Sequence, residues 1–243
     1  MAQIDDPPPA AEQYRVTLPM FPARTAWVLL VLNIAIYIIP EVLGLTPLVL
    51  ALGAKDNAAI RGGEFYRFLT AMFLHSGLTH LFFNSFALYS LGLEVERLFG
   101  SLRFLAIYFI AGFGGGLASY ALSPNDAVGA SGAIFGLVGA LAAFFYLGRG
   151  MFGEMSRQQI GNLIFITLIN LGIGLSTPRI DNYAHMGGLA AGAIVGLLLT
   201  PILRVDSEKR IIARQSRSYG WPGTLALTVS LIIITWMIQP PIQ

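Results

Sequence analysis

Long apolar runs separated by short polar segments dominate this sequence. A helix needs roughly 20 apolar residues to cross the hydrocarbon core of a bilayer. Seven stretches approach that length, at about 25–45, 78–98, 102–122, 129–148, 159–176, 183–203 and 221–239. The fifth is the weakest, because Asn162 and Asn170 interrupt it. Between the first two lies a mixed segment, 46–77, with Lys55, Asp56, Arg61, Glu64 and Arg67 set among apolar residues. It reads as an interfacial loop with short helices rather than a span. The pattern predicts an all-α membrane protein with seven helices.

Composition agrees with that pattern. Hydrophobic residues make up 55% of the chain and charged residues only 12%, against about 25% charged in an average soluble domain. Cysteine is absent, which excludes disulfides, thiolate metal sites and cysteine nucleophiles. The net charge of +2 says nothing about nucleic acid, and no nucleic-acid partner is expected. The first 24 residues carry Asp5, Asp6, Glu12 and the run Pro7-Pro8-Pro9. A secretory signal would start basic and turn apolar, and a mitochondrial presequence would be Arg-rich and acid-poor. The stretch therefore reads as a retained polar tail.

The placement of charge is more telling than its sum. With the N-terminus inside, the inner set is Arg15, Arg24, Arg97, Arg103, Arg149, Arg157, Arg204, Lys209, Arg210, Arg214 and Arg217. The outer set is Lys55, Arg61, Arg67 and Arg179. That is 11 against 4 of the 15 Lys and Arg residues. The excess of positive charge in inner loops puts the N-terminus in the cytoplasm and, after seven spans, the C-terminus outside. The basic loop 204–220 strengthens this orientation and is suited to touch anionic headgroups.

This topology brings polar residues from distant parts of the chain to one depth. His80 and Asn84 begin the second span, Ser131 the fourth and His185 the sixth, all near the outer face. Polar groups at such depth are costly unless paired, and by default they point to function. A lone serine in an apolar helix ordinarily bonds to its own backbone, and a lone histidine is ordinarily structural. Ser131, however, lies in Gly129-Ala130-Ser131-Gly132, at a helix start where free amides and the dipole favour negative charge. His185 is followed by Gly188, Gly192 and Gly196, while the fourth span has Gly132 and Gly136. Small residues four apart allow close helix packing in lipid, which would bring Ser131 near His185. His80 and Asn84 share a helix face. They could donate hydrogen bonds to a developing oxyanion or form a structural clamp.

HxxxN at His80–Asn84, GxSG at Gly129–Gly132 and AHxxG at Ala184–Gly188 resemble the signature of the rhomboid proteases, in that family's order. Glu64-Phe65-Tyr66-Arg67 resembles the family's Trp-Arg motif, with Tyr66 where Trp is usual. Glu96 and Gly100 resemble the acidic, glycine-containing end of its second helix. The resemblance covers roughly residues 25–203. It implies a six-helix core with one extra C-terminal helix at 221–243, joined by the loop 204–220 and preceded by the tail 1–24. By that resemblance Ser131 is the nucleophile and His185 the general base. His80, Asn84 and the Ser131 amide would stabilise the oxyanion. Gly129 and Gly132 would shape the turn, Phe135 would pack against the histidine where many members carry Tyr, and Arg67 would support the first loop.

The implied activity is intramembrane serine endopeptidase, acting on single-pass membrane-anchored substrates near the outer face of the lipid bilayer. Neither metal nor other cofactor is expected, and the bacterial inner membrane is the expected location. A serine hydroxyl becomes nucleophilic when a base takes its proton, and imidazole suits that work near neutral pH. The fifth span and the loops near 123–128 and 176–182 are candidate gates. Asp181, four residues before His185, could orient it, although the resemblance implies a dyad. Other classes stay in view. A zinc protease is disfavoured because His75 and His80 are five apart with no acid between them. A transporter is disfavoured because no internal repeat is visible. A catalytically silent rhomboid-like chaperone or binding protein is the alternative.

Overall fold

A computed structural model describes residues 17–177, 180–206 and 211–241. Tail residues 1–16, and with them Arg15, lie outside the described residues, as do Arg179, Lys209 and Arg210. The first apolar run forms α1 (Thr25–Val42). The mixed segment after it folds as three short helices, α2 (Thr46–Gly53), α3 (Asn57–Arg61) and α4 (Arg67–Thr70), followed by a 3-10 turn at Ala71–Phe73. It is the loop with short helices that its composition predicts. The next run is helical from Leu78 to Phe99, as α5 (Leu78–Ala87), a π turn (Leu88–Gly92) and α6 (Leu93–Phe99). Then come α7 (Ser101–Leu122), α8 (Ser131–Leu147), the short α9 (Arg149–Phe152), α10 (Glu154–Ser176), α11 (Asn182–Leu199) and α12 (Gly220–Met237). Among the described residues, α1, α7, α10, α11 and α12 are long and apolar enough to cross a membrane, and α8 is apolar but shorter.

α8 is the axis of the bundle. Nearly every residue from Gly132 to Phe145 is buried, between α7 on one side and α11 on another. Lipid tails are as apolar as leucine, so helices associate in a bilayer through close packing rather than hydrophobic burial. The glycines anticipated for this contact make it. A Cβ added at Gly188 would lie 2.0 Å from the Gly132 carbonyl oxygen, and one at Gly192 would lie 2.3 Å from the Gly136 Cα. Backbone meets backbone there, with no flexible side chain to yield. By contrast α10 and α12 are mostly exposed, presenting Leu168, Leu175, Leu225 and Trp236 outward.

The π turn was not anticipated, and it has a geometric consequence. Asn84 and Glu96 are twelve residues apart. In a regular helix they would point about 120° from each other. A π turn absorbs one extra residue and returns them to within about 20° of one face. Both are buried, at 6% and 0% exposure. The Glu96 carboxylate accepts hydrogen bonds from Thr25 N (2.9 Å), Ala26 N (2.7 Å) and Ser101 Oγ (2.6 Å). It caps the positive end of α1 and ties α6 to α7 across the Gly100 turn.

The loop 204–220 also differs from expectation, because it holds an antiparallel hairpin, β1 (Ile202–Asp206) and β2 (Ile211–Gln215). Ile212 is buried, and its amide donates to Thr17 O at 2.8 Å. Its basic residues masked a β-branched pattern, which the N-terminal segment completes. The hairpin gathers with the Gly100 turn at one end of the bundle, where Arg103 Nη2 donates to Ser216 Oγ at 2.5 Å. The short helices α2–α4, loop 123–130 and residues 239–241 gather at the other end. That division matches the alternation of loops read from the sequence.

Three outcomes are expected in thermal unfolding in detergent. Gly192→Ala should cost about 1–3 kcal/mol, because the backbones must separate. Gly172→Ala on α10, where an added Cβ meets nothing within 4 Å, should be neutral or stabilising by up to about 1 kcal/mol. Glu96→Ala should cost about 2–4 kcal/mol, because it leaves the α1 amides without their acceptor.

Candidate active site

Ser131 is the first residue of α8 and is half-buried. The chain reaches it through loop 123–130, which is pinned rather than free. Lys55 N donates to Ala127 O at 2.9 Å and Ala127 N returns a bond to Lys55 O at 3.1 Å. Gly129 N donates to Ala71 O at 2.9 Å. Loop 123–128, read from the sequence as a candidate gate, is anchored here to the interfacial segment.

Gly129 has φ +130°, a backbone conformation that side chains rarely adopt. Its missing side chain also makes room for α5. A Cβ there would lie 2.7 Å from both Cε1 and Nε2 of His80 and 3.5 Å from Nδ2 of Asn84. So His80 and Asn84 converge on the turn that delivers Ser131. His80 Nδ1 is 3.2 Å from Ser76 Oγ, which leaves its Nε2 edge facing the turn. Asn84 Nδ2 is buried and has no hydrogen-bond partner. His75 packs edge-on against His80, with ring centroids 5.2 Å apart. Burial and the neighbouring His80 hold His75 down to about 4.

His185 lies in the first turn of α11 and is 7% exposed. Its ring stacks on Phe135 with centroids 4.2 Å apart and planes 9° from parallel. Phe135 is one turn after Ser131, so the imidazole lies along the α8 face that begins with the serine. The ring retained at position 135 makes the stacking contact expected of it. His185 Nδ1 is buried without a partner.

Asp181 does not orient the histidine. Its Oδ1 accepts from Ala184 N at 3.0 Å, capping α11, and its Oδ2 accepts from Ser119 Oγ. With both oxygens engaged, it is not the solvated loop acid it would otherwise be. Ser119, a partner the sequence reading missed, lies on α7 three residues past a glycine run and carries no motif of its own. Arg67, 5% exposed, supports the interfacial segment. Its Nε donates to Glu64 Oε2 (2.8 Å) and its Nη1 to Ala51 O (3.0 Å) and Ala54 O (2.9 Å). Tyr66, exposed, donates to the same Glu64 oxygen at 2.8 Å. The sequence reading also missed Lys55 and Asn57, both buried beside the loop.

A family model described as Rhomboid domain matches residues 62–202. The chain is 49% identical over 148 residues to Rhomboid protease GluP of Bacillus subtilis, across 60% of this chain and 28% of that protein. It is 37% identical over 148 residues to RHOMBOID-like protein 4 of Arabidopsis thaliana, across 60% of this chain and 37% of that protein. RHOMBOID-like protein 2 of the same plant is 36% identical over 172 residues, across 70% of this chain and 54% of that protein. The chain thus spans little more than half, or less, of the length of these relatives.

Gly129→Ala should destabilise the protein by about 1–3 kcal/mol, combining backbone strain with displacement of His80. Thermal unfolding in detergent measures this, with Gly172→Ala as the unstrained control.

Proposed function

The chain belongs to the rhomboid family, and from that membership we propose that it is an intramembrane serine endopeptidase with Ser131 as nucleophile and His185 as general base. The observation that carries this reading is the stack of His185 on Phe135, which lays the imidazole along the helix that Ser131 begins. The protein is a multi-pass membrane protein. Its proposed orientation has the N-terminus in the cytoplasm of a bacterial inner membrane and the C-terminus outside. The division at the residues named above, a tail 1–24, a core 25–203, a loop 204–220 and a seventh helix, belongs to the same proposal.

His185 takes the Ser131 hydroxyl proton as Oγ attacks the scissile carbonyl carbon. The tetrahedral oxyanion forms beside Asn84 Nδ2, His80 and the Ser131 amide. A buried donor without a partner is costly at rest. Asn84 Nδ2 would gain its acceptor only as the oxyanion develops, which is how such a donor lowers a barrier. The intermediate collapses as the imidazolium gives its proton to the leaving amine. Water, activated by His185, then releases the acyl group and regenerates Ser131. The substrate is a membrane-anchored helix that unwinds near its outer end. The largely exposed α10 and the segment 176–182 are the proposed route of entry.

Both oxygens of Asp181 are engaged elsewhere, which favours a dyad. Labelling by a fluorophosphonate probe and cleavage of a transmembrane substrate test these roles. Ser131→Ala and His185→Ala should each lower cleavage by about 10³-fold or more and abolish labelling. Asn84→Ala should lower kcat by about 10²-fold. Asp181→Asn should retain kcat within about threefold, whereas a triad acid would lose about 10⁴-fold. Cleavage that survives Ser131→Ala would refute the reading, and a folded wild type that never labels would favour a silent, binding role.

A further inference from the structure

We propose that Lys55 and Asn57 are positioning residues that set loop 123–130, and through it Ser131, with residues 239–241 beyond α12 closing the clamp. The kinetic half of this inference rests on the protease reading above.

Lys55 is 2% exposed, and lysine is almost never fully buried unless paired. Its hydrogen bonds go to no carboxylate. Nζ donates to Asn125 O (2.7 Å), Ser123 O (3.4 Å) and Asn57 Oδ1 (2.9 Å). Burial pushes its ammonium below the ordinary value, against the fields of Asp181, Asp126 and Asp56, which pull it up. Burying a charge is a poor route to stability, and an apolar side chain of similar volume often does as well or better. A buried ammonium does supply donors aimed at fixed points. Here they fall on the loop that leads to the proposed nucleophile.

Asn57, 3% exposed, works beside it. Its Nδ2 donates to Ser123 O (2.8 Å) and also to Pro241 O (2.5 Å). Arg61 Nη2, on the same short helix, donates to Gln239 Oε1 (2.9 Å) and Pro240 O (3.4 Å). Phe65 packs on Trp236 with centroids 4.7 Å apart. The end of the seventh helix is thus seated on the helix that holds the loop. With the backbone bonds of Ala127 and Gly129, the loop is anchored at 123, 125, 127 and 129, at every second residue. A shift of about 1 Å in a reacting group can cost about 10²-fold in rate, so slack at these anchors acts directly on Ser131.

Lys55→Met keeps the reach of the side chain and removes its donors. The expected result is a kcat lower by about tenfold to hundredfold. KM should stay within about twofold of wild type, because a buried Lys55 touches no substrate. Amide hydrogen exchange at Ala127 and Gly129 should rise about tenfold or more relative to the amides of α8. A merely stabilising lysine would lower the folded fraction, and with it apparent kcat at constant KM, but would leave kcat per fluorophosphonate-labelled site and the local exchange unchanged. Truncation after Gln239 removes the Pro240 and Pro241 acceptors, the buried Pro240 ring with them, and leaves α12 whole; it keeps the test open if Lys55→Met does not fold. It should raise exchange at Ala127 and lower kcat by about threefold or more. A folded Lys55→Met with wild-type kcat and wild-type loop exchange would overturn the proposal, and a truncation without effect would overturn the part assigned to the C-terminal residues. If the wild type neither labels nor cleaves, the protease reading fails, while the exchange measurements still judge the clamp.

Discussion

The structure depends on one contact, the approach of α8 to α11 without side chains between them. In water, two helices could be held at 9 or 10 Å by interlocking side chains and still gain from burying them. In lipid that gain is absent, and what remains is dispersion between closely matched surfaces. Gly132 and Gly136 against Gly188 and Gly192 supply such a surface. Because the contact is backbone on backbone, it fixes depth as well as distance. One helix cannot slide along the other without driving a carbonyl into a Cα. The relative height of Ser131 and His185 is therefore set by residues that have no chemistry of their own.

The ends of the bundle are held by a different kind of force. At the end near Gly100, one carboxylate, Glu96, accepts three hydrogen bonds and joins α1, α6 and α7. At the other end, one ammonium, Lys55, and one guanidinium, Arg67, spread their donors over backbone carbonyls of short helices and loops. Each is a buried or nearly buried charge whose partners are mostly neutral. Fields of this kind are strong where water is scarce, and their directionality holds irregular backbone that regular helix bonds cannot. The π turn belongs to the same logic, since it lets Asn84 serve one end of a helix while Glu96 serves the other.

Much of this was legible in the sequence, for identifiable reasons. Apolar runs declare helices because the bilayer forces every backbone group to be satisfied within its own segment. Glycines four apart declare a close contact, and Ser131, His185, His80 and Asn84 stood out because polar residues in such runs are rare. What stayed hidden depended on partners far along the chain. Lys55 looks like any cation of an interfacial loop until Ser123 and Asn125 fold over it. Asp181 looks free to orient His185 until Ser119 and the α11 amide claim its oxygens. The hairpin at 202–215 was concealed because its charges spoke louder than its β-branched residues. The π turn carries no sequence mark at all, being a matter of register between two buried ends.

The pattern of satisfied and unsatisfied groups connects these parts. Around the candidate site, Asp181, Lys55 and the loop backbone at 123, 125, 127 and 129 have partners. Asn84 Nδ2 and His185 Nδ1, buried in the same region, have none. A donor left without an acceptor would ordinarily turn or recruit a neighbour, and the surrounding protein must prevent it. The Phe135 stack restrains the imidazole. Gly129, by lacking a side chain, holds a gap that His80 and Asn84 enter but do not fill. The glycine contact keeps the two helices from relaxing toward each other or apart. On the proposed protease reading, an unpartnered Asn84 Nδ2 beside the turn that delivers Ser131 would favour an oxyanion over the carbonyl from which it forms.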